Sequence, residues 1–264
     1  MKTAIHFHHV VKLVRGNPVL RIQDLRIPER QRLSFFGLSH EVEEIITNQI
    51  TCAYPPEEGT ISIFGKDSRK IAEASWFEFL GDFGIYSSST PFLENASIGE
   101  NLAAMFRGKE PPIQEPKLSA AVLRMANLVQ LTITELSNIM NDAPDILRMK
   151  VRLARALALH PRILIVREPT ANVSSEIAKK FADLLKMAQR KLKFTMILFT
   201  SDRLLIQQVA ERVVFLNSET GVVVENRLRR WYHYVLPFLK PARASLVELT
   251  RNISKYKSGK NTKV

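Results

Sequence analysis

Short apolar runs broken by Gly, Pro and charged turns fill the first 36 positions. AIHFHHVVKLV, VLRIQDLRI and QRLSFF read as three strands joined at RGNP and PER. From Glu41 to Cys52 the period changes: Val42, Ile45, Ile46 and Ile50 recur three and four apart, which predicts a helix packed on a sheet. PPEEG then turns the chain into another strand, ISIFG. FGIYSSSTPFLENASIGENLAAMF predicts a strand, a polar loop and a helix starting near Ser97, whose hydroxyl sits three residues before Glu100 as a capping box requires. Helical periodicity returns in PKLSAAVLRMANLVQL and DILRMKVRLARALAL, the second running into the apolar strand RILIV. FADLLKMAQRKL, FTMILFT, LLIQQVAERV and VVFLN continue the alternation, which predicts a parallel sheet with crossover helices.

Length and charge refine this picture. A chain of 264 residues, 45% hydrophobic, suffices for one α/β domain and an appendage. The net charge of +12 is concentrated at one end: residues 226–264 hold ten Lys or Arg against Glu248 alone, a net +9 that leaves +3 for the rest. No apolar run approaches the roughly 18 residues of a membrane span, and residues 1–14 have no signal-peptide core, so the expected location is the cytoplasm. The single cysteine, Cys52, excludes an intrachain disulfide framework and reads as an ordinary helix residue. His6 and His8 share a strand face, but no third ligand follows at useful spacing in sequence, so they are expected to be solvated strand histidines and no metal is expected.

The stretch Leu33–Asp67 frames a phosphate-binding loop without its chemistry. Counted from Gly37, the pattern G-x-x-x-x-G-K-[ST] needs Gly, Lys and Ser or Thr at positions held by Val42, Glu43 and Glu44. Bare backbone N–H groups, an ammonium and a metal-ligating hydroxyl are all replaced.

PVLRIQDLRIPER, FFGLS, PPEEGTISIFGKD, NASIGENL, VRLARALALHPRILIVREPTANVS and FTSDRLLIQQVAERVVFLN together resemble the nucleotide-binding subunit of an ATP-binding-cassette (ABC) transporter, in order over about residues 4–225. The resemblance implies an α/β, RecA-like P-loop NTPase core with an antiparallel β subdomain and a helical subdomain at about 90–150. The expected division is a cassette-like domain at 1–225 and a basic, partly helical tail at 226–264.

Carried over residue by residue, the family's site is depleted. The adenine-stacking aromatic falls on Val14, and the P-loop keeps Gly37 and Ser39 but has His40, Val42, Glu43 and Glu44 elsewhere. The glutamine that senses metal and permease falls on Ser88, and the metal-directed Asp of RILIVREPT on Arg167. The adjacent catalytic Glu survives as Glu168, while the D-loop Asp and the switch His fall on Ser174 and Ser201. The signature loop lies either at residues 143–147 or, displaced upstream, in ELSNIM at 135–140; Pro144 favours a loop over Leu136–Asp142 followed by a helix.

The resemblance therefore implies a catalytically degenerate ABC subunit with a structural or regulatory part in a membrane transport complex. No cofactor is expected; the alternative is an ATPase subunit that holds ATP and Mg²⁺ in an atypical site. Expected partners are permease subunits and a second ABC subunit, in a homo- or heterodimer on the cytoplasmic face of a membrane. The tail, with Leu246, Leu249, Ile253 and Tyr256 on one helical face, suits a partner subunit or anionic lipid better than nucleic acid. Arg167 is expected to fill the missing metal's place and pair with Glu44, or failing that Glu43.

Overall fold

The computed structural model describes residues 2–71, 73–107, 117–217 and 220–227. β1 (Thr3–Val14) and β2 (Asn17–Pro28) form an antiparallel hairpin closed by Arg15 and Gly16, both at positive φ (51° and 80°), the geometry that matches strand twist in a two-residue turn. β4 (Glu58–Ile63) pairs with the other edge of β1, and β5 (Lys66–Asp67) completes a four-stranded antiparallel sheet in the order β2-β1-β4-β5.

A second sheet has the order β10-β9-β3-β8-β7-β6, with β6 (Phe83–Ser87), β7 (Ile163–Arg167), β8 (Thr195–Thr200), β3 (Arg32–Phe36) and β9 (Arg212–Leu216) parallel, and β10 (Val223–Arg227) antiparallel at one edge. β10 continues to Arg227, past the expected domain boundary at 225. The tail from residue 228 lies outside the described residues.

Strand alternation divides the core. Ile163, Ile165, Ile197 and Phe199 pack toward α1 (His40–Ile50) and the antiparallel sheet, with Phe35 and Phe199 stacked at 5.2 Å between ring centroids. Leu164, Val166, Met196 and Leu198 face the opposite way, against α3 (Ile98–Arg107), α4 (Lys117–Leu128), α6 (Asp145–Leu157) and α7 (Ser175–Leu192). α1 is thus sandwiched between two sheets, and its orientation decides which of its polar residues are buried. Gly84 lets β6 approach α6: a Cβ there would lie 2.1 Å from the Ala156 carbonyl oxygen.

The helix predicted to reach Cys52 stops at Ile50. Thr51 is its C-cap and Cys52 adopts φ 59°, and burial raises the Cys52 thiol to about 12, which makes it unreactive. Ser97 and Glu100 form the expected capping box on α3: the Glu100 carboxylate accepts from the Ser97 N–H at 2.8 Å, and the Ser97 hydroxyl accepts from the Glu100 N–H at 3.1 Å. Among the described residues, no helix is long and apolar enough to cross a membrane.

Candidate functional site

Parallel strands β3, β8 and β7 end side by side, and the crevice beyond their carboxyl ends is where such sheets place a ligand. Gly37 leaves β3 at φ 65°, its N–H donating to the Thr200 carbonyl at 3.3 Å. Ser39 then caps α1, so the segment free of helix is only Gly37–Ser39. The Val42 N–H donates to the Ser39 hydroxyl (3.4 Å) and the Glu43 N–H to the Ser39 carbonyl (3.0 Å). Donors that a phosphate cradle leaves open are used by the helix itself.

The helix also sets the phase of the two carboxylates. Glu43 points inward with 2% exposure, whereas Glu44, one residue and about 100° further round, is exposed. Arg167, at the end of β7, accordingly meets Glu43 and not Glu44: Arg167 Nε lies 3.5 Å from Glu43 Oε2. The expected Arg167–Glu44 pair is corrected on this ground. Arg167 Nη2 is 3.3 Å from Nε2 of His40, a contact no sequence signal indicated. At 3.5 Å the carboxylate contact is an ion pair too long for a good hydrogen bond, and the buried Nε has no hydrogen-bond partner among the described residues.

Burial is the main cause that raises the Glu43 carboxyl to about 7; the Glu168 charge adds to it and Arg167 offsets part of it. Near neutral pH this group therefore exchanges between a charged and a neutral form. Glu168 itself adopts φ 37°, and its carboxylate accepts from the Ser201 N–H (3.0 Å), the Ser201 hydroxyl (3.4 Å) and the Thr200 hydroxyl (3.3 Å). It ties the ends of β7 and β8 together. Ser201, at the switch position, is one of its donors, while Ser174, at the D-loop position, accepts from the Ile177 N–H as N-cap of α7.

The signature region is equally committed. α5 (Ile133–Leu136) is followed by a single 3₁₀ turn over Met140–Asp142, and α6 starts after Pro144, as the proline suggested. The Met140 and Asn141 N–H groups donate to the Ala96 and Glu94 carbonyls at 3.0 and 2.9 Å, and the Ile98 N–H donates to the Asn138 carbonyl at 2.9 Å. The first turn of α6 carries Asp145, a charge that favours the helix but disfavours a phosphate there.

The donor set of this crevice does not fit Mg-ATP. A buried carboxyl stands at the ammonium position, a guanidinium at the metal-directed carboxylate, and the Val42 and Glu43 amides are taken by Ser39. Val14 ends β1 beside the hairpin turn, and Ser88 sits in the turn after β6.

No family model matches the chain. It is 26% identical over 221 residues to the methionine import ATP-binding protein MetN of Clostridium acetobutylicum, covering 84% of this chain and 68% of that protein. It is 27% identical over 206 residues to MetN 1 of Burkholderia lata, covering 78% of this chain and 58% of that protein. Among solved structures, the dimeric bacterial ABC transporter cassette MJ0796 superposes with a TM-score of 0.71 at 22% identity, over 85% of this chain and 99% of that one. The cbiO1 protein of Clostridium perfringens, part of the ABC transporter complex cbiONQ, gives a TM-score of 0.78 at 15% identity, over 88% and 92%. The relatives are named as ATP-binding proteins, so the expectation that this chain takes no nucleotide rests on its own residues alone.

Proposed function

The chain is a homologue of ABC transporter ATP-binding subunits and has the ABC cassette fold of the P-loop NTPases, and from that premise we propose that it serves a membrane transport assembly as a structural or regulatory cassette without hydrolysing ATP. The observation that carries this reading is Glu43, buried at the P-loop lysine position and paired with Arg167. Phosphoryl transfer depends on positioning and charge neutralisation, and here the charges are inverted.

The surface after β6 supports a retained docking role. Phe92 lies under the guanidinium groups of Arg148, Arg152 and Arg155, whose centres are 5.1, 4.5 and 5.8 Å from its ring centroid. Arg148 pairs with Glu94 at 2.7 Å, and Arg155 donates to the Pro91 carbonyl at 2.7 Å. This clamp fixes the loop while leaving Leu93 half exposed, as a surface built to receive a permease subunit requires. In this reading the chain sits peripherally on the cytoplasmic face of the membrane, joined to permease subunits and a second cassette. The MetN relatives are import proteins, which favours import as the direction.

The relatives' description as ATP-binding proteins favours a second reading, in which this chain holds ATP atypically and Glu168 is the catalytic base. One variant separates the two. In the transport complex purified from its source, Glu168→Gln is expected to leave ATPase activity and transport within about twofold of the wild type, because the amide oxygen keeps the Ser201 contacts and the amide nitrogen can donate to the Thr200 hydroxyl. A loss of a hundredfold or more, the usual scale for removing general-base catalysis, would establish the second reading.

A further inference from the structure

We propose that His6, His8 and Asp24 form a binding site for a divalent transition-metal ion of the zinc class on the outer face of the antiparallel sheet. Strand alternation buries Phe7 and turns the imidazoles of His6 and His8 to the same face, their ring centroids 5.6 Å apart. The third ligand, which no local spacing could supply, comes from the neighbouring strand. Asp24 of β2 is the cross-strand partner of His8 and lies diagonally from His6, with its Oδ1 2.5 Å from His6 Nε2. One ligand atom from each of the three residues lies within 4.8 Å of the other two.

That spacing is close to what a metal needs. Bonds of about 2.0–2.2 Å in tetrahedral zinc place ligand atoms about 3.3 Å apart, so closure requires shifts of about 1.5 Å or less, within reach of side-chain rotation on a solvent-facing strand. Two imidazoles and one carboxylate suit Zn²⁺ or Co²⁺, whereas Mg²⁺ and Ca²⁺ prefer all-oxygen shells. A bulge in the pairing of β1 with β4 follows His8; there His9 takes φ 50° and packs edge-on against the His8 ring, centroids 4.3 Å apart. Gly59 fits opposite this bulge, where a Cβ would stand 2.2 Å from the His9 carbonyl oxygen.

Arg26 is the competitor, its Nε 3.5 Å from the same Asp24 oxygen on a well-exposed side chain. The site is therefore open to water and weaker than a closed structural zinc site, and it bridges β1 and β2. It is independent of the transport reading.

Calorimetric titration of the full chain with ZnCl₂ at pH 7.5 tests it. One site of micromolar affinity is expected. His8→Ala and Asp24→Asn should each weaken it about tenfold or more, Arg26→Ala should tighten it severalfold, and His160→Ala should leave it unchanged. The two ligand residues substituted, His8 and Asp24, are exposed, and circular dichroism of each variant checks that its fold is retained. Co²⁺ gives an independent readout: visible absorption in the wild type that is lost in His8→Ala. Binding weaker than about 100 μM, or micromolar binding unchanged by His8→Ala and Asp24→Asn, overturns the proposal.

Discussion

Glu43→Lys, which restores the P-loop ammonium by a single change, is expected to destabilise the chain by about 3 kcal/mol or more and to create no micromolar affinity for Mg-ATP. The new cation would occupy a position that is 2% exposed and faces the Arg167 guanidinium, now 3.5 Å from the Glu43 carboxylate. At an effective dielectric of about 20, two unit charges about 4 Å apart interact with about 4 kcal/mol, here repulsive. Glu168 offers one carboxylate against two cations and already accepts from Ser201 and Thr200. The amides of residues 42 and 43 stay bound to Ser39, so the ammonium arrives without its cradle. Urea denaturation and nucleotide titration of the variant check both halves. A lysine variant as stable as the wild type that also binds ATP would show that the loop readily reopens.

The second large effect concerns pH. Glu43 titrates near 7 in the folded chain against about 4.5 when unfolded, so the folded state holds its proton more tightly. Stability from this group is fully present below pH 4.5 and is lost as pH rises through 7. The difference amounts to about 3 kcal/mol between pH 4 and pH 9. Asp24, Glu57 and Asp67 are shifted the other way, below the ordinary carboxylate range, so their contributions change at lower pH. Glu43→Gln should flatten the stability profile between pH 5 and 8, making the variant more stable than the wild type at pH 8. Arg167→Met should cost about 3 kcal/mol at pH 8 by leaving the carboxylate unpaired, and Arg167→Met with Glu43→Leu should recover most of that loss. Chemical denaturation across the pH range checks this; equal slopes in wild type and Glu43→Gln would refute it.

The architecture is legible because its strands are short β-branched runs and its crossover helices have clear periodicity, with ILIV at 163–166 and FTMILFT at 194–200 each buried throughout. Helix starts were harder. The first turn of α7, SEIAKK, carries little apolar periodicity, and Ser174 defines it by capping. β10 is a five-residue edge strand and α2 (Glu73–Leu80) a helix of two turns, each too short for its periodicity to stand out.

In the site, sequence matching placed each residue at a family position, but position is not direction. Matching gave Glu43 and Glu44 the roles of neighbours, and only the onset of α1 at His40 reveals that one is buried and the other exposed. The histidine cluster shows the same limit. Asp24 stands 18 residues from His6 in sequence, and register alone brings the two together.

The central claim is that Glu43, Arg167 and the helical onset at His40 have replaced the nucleotide cradle. Calorimetric titration of the purified chain with ATP, in the presence and absence of Mg²⁺, tests it most directly. The expected result is no saturable binding up to about 1 mM, corresponding to less than about 4 kcal/mol of affinity. Micromolar, Mg²⁺-dependent binding that Arg167→Met alters would contradict it.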